Sequence, residues 1–283
     1  MANEKSEGVS RRDALRLGAA VLCAAAAPGR GAAGAVRVPI GVQLYSVRHE
    51  CEKDLPATLH AIAGMGYEAV EFAGYYGRGA AELRKLLDAE GLKCCGTHTA
   101  LDTLEGDALA GTIAFQQALG NRFLIVPWIP EERRKTAEDW KALAALFGGI
   151  SDKLAPHGMR VGYHNHNFEF APLAGRTAWD IFFGGTKKAV VMQVDTGNCI
   201  EGGADPVALL ERYPGRAVTI HVKEFSKTKP DAFVGEGELP WKRIFELCEA
   251  GGTEWYVVEY ERENQPPLPA IAHCLKNLKA MGK

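Results

Sequence analysis

From Val38 onward one unit recurs eight times in this chain: a short apolar run of strand length, then a longer amphipathic stretch, with glycine or proline at most junctions. The strand-like runs are read at about 40–45, 69–72, 92–97, 123–126, 160–164, 189–194, 217–222 and 255–259. Helices are expected near 54–65, 80–90, 104–119, 136–155, 177–183, 205–213, 240–250 and 269–281, several of them stopped by a glycine. Unbroken strand-then-helix alternation calls for parallel strands joined by crossovers. Eight such units are what a closed α/β (β/α)8 TIM barrel needs, so residues 36–283 are expected to form one barrel domain. An open doubly wound sheet is the alternative, but no GxGxxG follows the first strand and no phosphate loop occurs.

Length and charge agree with that reading. A chain of 283 residues with 47% hydrophobic content suits a single large domain. A net charge of −2 offers no basic face for nucleic acid, and no apolar run reaches the roughly 18 residues of a membrane span. Residues 1–35 differ from the rest. Arg11-Arg12 precede a small apolar run from Leu17 to Ala27, and Ala33-Gly34-Ala35 follow. Paired arginines, an Ala/Gly-rich centre and a small-x-small site describe a twin-arginine export signal. Ala14-Leu15 displaces the usual position of the residue after the arginines. The mature chain is then expected to be periplasmic or exported, without membrane contact. Its six cysteines lack CxxC spacing and read mostly as free thiols. A helix-rich exterior is compatible with a homo-oligomer, though no decisive patch marks an interface.

In a barrel of this kind the chemistry sits at the C-terminal strand ends. Taken in order, those ends carry Glu71, His98, Trp128, His164 with His166, Asp195, His221 and Glu259. His164 and His166 are two residues apart and share a strand face, with Asn165 opposite. Strands five to eight thus end in His, Asp, His and Glu, residue types rarely turned inward without a partner. One divalent cation held by His164, Asp195, His221 and Glu259 would satisfy all four.

The run Tyr163-His-Asn-His-Asn-Phe-Glu-Phe170, with Asp195-Thr-Gly-Asn198, His221-Val-Lys223, Gly235-Glu-Gly237 and Glu259, resembles the xylose isomerase-like TIM-barrel superfamily. The likeness is to its sugar phosphate isomerase/epimerase-type members and extends from Ile40 to about Leu278. It implies a metal held by His164, Asp195, His221 and Glu259, and a small carbohydrate as substrate. Many relatives carry Glu-Asn-His where this chain has His164-Asn165-His166, so His164 stands in for a metal-binding glutamate. Only Glu259 then remains of the two glutamates that exchange protons in an epimerase. The added imidazole softens the site and favours Mn, Co, Fe or Zn over Mg. His166 shares the strand face and is the alternative ligand.

The parts suggest a reaction. A cation chelating a substrate carbonyl and its neighbouring hydroxyl acidifies the adjacent C–H, and a base then removes that proton to give an enediolate held on the cation. Returning the proton elsewhere isomerises or epimerises the sugar; expelling a substituent makes the enzyme a lyase, for example on a 3-keto-glycoside. Glu259, His166 and Lys223 are the expected catalytic groups. His98, Glu71, Glu169, Trp128 and Glu236 are the expected substrate contacts. Export favours an unphosphorylated sugar. The alternative is an exported barrel that binds sugar without turnover. A phosphodiesterase of the AP-endonuclease type is disfavoured by the near-neutral charge and by Asn198, where such proteins carry a histidine.

Overall fold

The computed structural model describes Met1, residues 37–262 and residues 264–283; the export signal expected over residues 1–35 lies outside the described residues. Eight parallel strands close into a barrel: β1 (Ile40–Gln43), β2 (Ala69–Phe72), β3 (Lys93–His98), β4 (Phe123–Val126), β5 (Arg160–His164), β6 (Val191–Asp195), β7 (Thr219–Val222) and β8 (Trp255–Val258). β8 pairs with β1 through Ile40 and Tyr256 and closes the ring. The (β/α)8 barrel expected from the alternation is the fold observed. Its strands are nearly continuous runs of buried residues because the helices cover their outer face and the barrel fills the inner one.

The helices are α1 (Arg48–Met65), α2 (Ala80–Ala89), α3 (Ala108–Leu119), α4 (Ala137–Leu154), α5 (Ala178–Gly185), α6 (Thr196–Glu201), α7 (Pro206–Arg212), α8 (Trp241–Gly251) and α9 (Pro267–Ala280). The capping box of Thr136 and Asp139 fixes the start of α4. Behind β5, Trp140 and Phe147 of α4 meet Phe182 of α5 and Tyr163 in edge-on contacts with centroids 4.9–6.1 Å apart. Such pairs add to plain area burial. They anchor the strand that ends in His164.

The departures from expectation are local. β1 stops at Gln43, whose side-chain oxygen accepts from Tyr45 N and turns the chain into a 3-10 turn, Leu44–Val47. Asp54 caps the helix expected from residue 54, accepting from Ala57 N at 3.0 Å, but a helical segment already precedes it and the backbone breaks there at φ −157, ψ 89. Both β6 and β7 begin two residues later than read, at Val191 and Thr219. Helix α6 was not anticipated. The six cysteines of the described residues are buried and unpaired. No helix among the described residues is long and apolar enough to cross a membrane.

Candidate metal centre

Each of the four strands β5 to β8 delivers one side chain to a common point at the barrel's C-terminal mouth. His164 closes β5, Asp195 closes β6, His221 sits on β7 opposite Asp195, and Glu259 follows β8 directly. One ligand atom from each of the four lies within 4.8 Å of the others, and all four residues are buried. The Nδ1 atom of His221 is 3.1 Å from a Glu259 oxygen and 3.8 Å from Asp195 Oδ2.

The Asp-Thr-Gly-Asn sequence explains how Asp195 is presented. Its Oδ1 accepts from Asn198 N at 2.7 Å and so starts α6, leaving Oδ2 free. Asn165, on the opposite face from the histidines, clamps the same residue through both backbone groups, at 2.9 and 3.1 Å. Gly197 lets α6 settle against Lys223: a Cβ there would stand 2.9 Å from Lys223 Cγ and 3.1 Å from the Glu224 carbonyl oxygen. Gly197→Ala is therefore expected to push Lys223 aside and destabilise the protein by about 1–3 kcal/mol in urea unfolding. A change below about 0.5 kcal/mol would show that the neighbours yield.

Asp195 Oδ2 is fully buried and has no hydrogen-bond partner. Buried carboxylate oxygens are seldom left so, and a cation would satisfy this one. Burial pushes the Asp195 carboxyl above the ordinary range, helped by the charge of Glu259. Burial also opposes the charge of Glu259, but Lys223 and His221 outweigh it and hold that carboxyl well below the usual range. Two imidazoles and two carboxylates of this geometry fit a divalent transition metal or zinc.

The other expected site residues fall into two groups. His98, Trp128 and His166 line the same cavity of about 630 Å³ as His164 and Glu259. Lys223 is buried behind Glu259 and Glu261, which line that cavity; it pairs with Glu261 and lies 3.6 Å from Glu259. Glu71, Glu169 and Glu236 are not presented to that cavity. Glu71 is fully buried beneath the histidines. Glu169 is buried in the loop after β5, accepting from Tyr163 OH at 2.6 Å and from His166 N at 2.9 Å, so it braces the loop that carries His166. Glu236 pairs with Lys229 and with His273 of α9, because the loop after β7 folds outward onto that helix. Three contributors were missed: Gln193, Glu261 and the exposed Tyr45. Gln193 stands two residues before Asp195, and Glu261 two after Glu259, the spacing that keeps side chains on one face of an extended segment.

A closed parallel barrel whose mouth gathers two imidazoles and two carboxylates around an unpartnered buried oxygen has a donor set that could hold a divalent cation. The chain belongs to the xylose isomerase-like TIM barrel family, whose profile matches residues 59–281. It is 25% identical over 251 residues to the rhizopine catabolism protein MocC of Rhizobium meliloti, covering 76% of this chain and 75% of that one. It is 27% identical over 164 residues to the inosose dehydratase of Geobacillus thermodenitrificans; the match spans 49% of this chain and about half the length of that relative, 51%. A sugar phosphate isomerase/epimerase structure from Parabacteroides distasonis superposes with a TM-score of 0.74 at 26% identity, covering 86% of this chain and 98% of that one.

Proposed function

We propose that this chain is a divalent-metal-dependent enzyme that moves a proton beside the carbonyl of a sugar or keto-sugar. The outcome is isomerisation, epimerisation or carbon–oxygen elimination, and a 3-keto-glycoside is the substrate we favour for elimination. The observation that carries this reading is the buried quartet of His164, Asp195, His221 and Glu259 with its unpartnered Asp195 oxygen, two of whose members, His164 and Glu259, line a cavity of about 630 Å³. Relatives named as a dehydratase and an isomerase/epimerase support the same class of chemistry. Residues 1–35 would carry the enzyme out of the cytoplasm.

The cation, Mn, Co, Fe or Zn in preference to Mg, would supply Lewis acidity toward a carbonyl and its neighbouring hydroxyl. The protein's own groups do the rest. Burial lowers His166 to about 4, so its ring is neutral at ordinary pH and able to take a proton. Burial opposes the charge on Lys223, but Asp195, Glu259 and Glu261 outweigh it, so the ammonium stays charged and can face an oxygen that gains negative charge. Glu259 is fully ionised beside it and is the second proton-transfer candidate. Trp128 is half exposed at the rim, with the Arg134 guanidinium 4.9 Å over its ring, and offers a flat apolar face to a sugar.

The test is metal analysis of chain purified without chelator, followed by incubation with free sugars and 3-keto-glycosides in D2O. Stoichiometric metal with deuterium uptake beside a carbonyl, or release of an eliminated group, is the expected result. Bound metal without exchange on any sugar would leave a binding protein. No metal would remove the basis of the reading.

A further inference from the structure

Glu71 is a fully buried acid of the barrel and has both oxygens engaged. Its Oε2 receives His221 Nε2 at 2.6 Å and Gln43 Nε2 at 2.8 Å; its Oε1 receives Gln193 Nε2 at 2.8 Å. It is 0% exposed, so neither substrate nor solvent reaches it. The fold makes room for it deliberately. The β2–β3 register slips from Val70 opposite Cys94 to Glu71 opposite Gly96, skipping Cys95. At Gly96 a Cβ would stand 2.3 Å from Glu71 Oε1, so only glycine fits. Burying a carboxylate is costly, and an apolar residue would fill the same place at less expense.

What the carboxylate touches explains its retention. A neutral imidazole donates through one nitrogen and is free to ligate through the other. With Nε2–H of His221 held by Glu71, the lone pair is on Nδ1, which faces Glu259 and Asp195. The effect reaches His164 through Gln193. That amide turns its NH2 toward Glu71 and toward Thr219 Oγ1 at 3.0 Å. Its oxygen is thereby turned to His164 Nδ1 at 3.1 Å and His98 Nε2 at 3.2 Å. An acceptor at His164 Nδ1 puts the proton there and leaves Nε2 to ligate.

We propose that Glu71 is a positioning residue that sets the tautomers of both imidazole ligands, His221 directly and His164 through the Gln193 amide. The proposal rests on the metal reading of the quartet. Outer partners of this kind are worth about 10- to 100-fold in metal affinity.

The test titrates Zn2+ into the metal-free protein against a chromophoric chelator, for wild type and Glu71→Gln, with thermal melts of the metal-free forms. Glu71→Gln is expected to bind Zn2+ about 10- to 100-fold more weakly while its metal-free melt stays close to wild type. An affinity within about twofold of wild type, well short of that loss, would overturn the proposal and leave the metal centre standing. Failure of the wild type itself to bind Zn2+ would overturn both. Histidine 15N correlation spectra of the Zn2+-loaded wild type decide independently of any variant's folding. They should show His221 protonated on Nε2 and His164 protonated on Nδ1; the reverse tautomer at His221 would refute the assignment.

Discussion

Asp195→Asn is expected to abolish stoichiometric metal binding while leaving the fold in place. Asparagine is as good an N-cap as aspartate, so the Oδ1 contact that begins α6 survives the change. The group lost is Oδ2, a buried oxygen that no protein donor satisfies. An amide NH2 there would point donors at a cation and at the Lys223 ammonium. The loss of affinity should exceed the roughly 10- to 100-fold that removal of an outer partner costs, because a direct ligand and its charge go together. Elemental analysis and a chelator competition would measure it, beside a melt of the metal-free variant. That melt is expected to hold or rise, since a buried carboxylate held above its ordinary range by burial and by Glu259 becomes a neutral amide. Wild-type metal content in Asp195→Asn would show that the quartet is a hydrogen-bonded ion cluster and not a cation site.

How much of this was legible in the chain depends on which physical signal each part leaves. Strand and helix periods and glycine stops are local, so all eight units and their order could be read from them. Strand-end positions then follow, and with them His164, Asp195, His221 and Glu259. Depth along the barrel axis is another matter. Glu71 occupies a strand end, but the slip opposite Cys95 seats it under the histidines, and alternation alone does not reveal that slip. Glu236 lay in a Gly-Glu-Gly segment that reads as a mobile mouth loop, yet its position is decided by His273 and Asn277 some forty residues on, a contact with no periodic signature. Gln193 and Glu261 were within reach of the same-face rule that singled out His164 and His166. They were overlooked because an amide is a poor ligand and because Glu261 lies past the strand. Helix α6 spans six residues, too few to display a 3.6-residue period, although its Asp195 cap was in plain view.

His166→Gln should separate catalysis from binding. The ring stands in the cavity beside Trp128 and His164, with centroids 5.3 Å from each, and its Nδ1 is buried without a partner. Glu169 secures its backbone N–H, so the loop should keep its shape when the ring is lost. Removing a positioned proton-transfer group costs about 10²- to 10⁴-fold in rate. That loss is expected in kcat, with metal content unchanged. The pH profile gives a second readout. Because burial lowers the ring to about 4, His166 stays neutral and able to accept a proton from neutral pH down to that value, and protonation removes the base only below it. With metal held saturating, the acid limb of kcat should therefore lie near 4, not near the ordinary histidine value, and it should be absent from the residual activity of His166→Gln. An acid limb that persists unchanged in the variant would assign the base to Glu259. A variant that loses its metal would instead make His166 the ligand in place of His164, the exchange that two histidines on one strand face leave open.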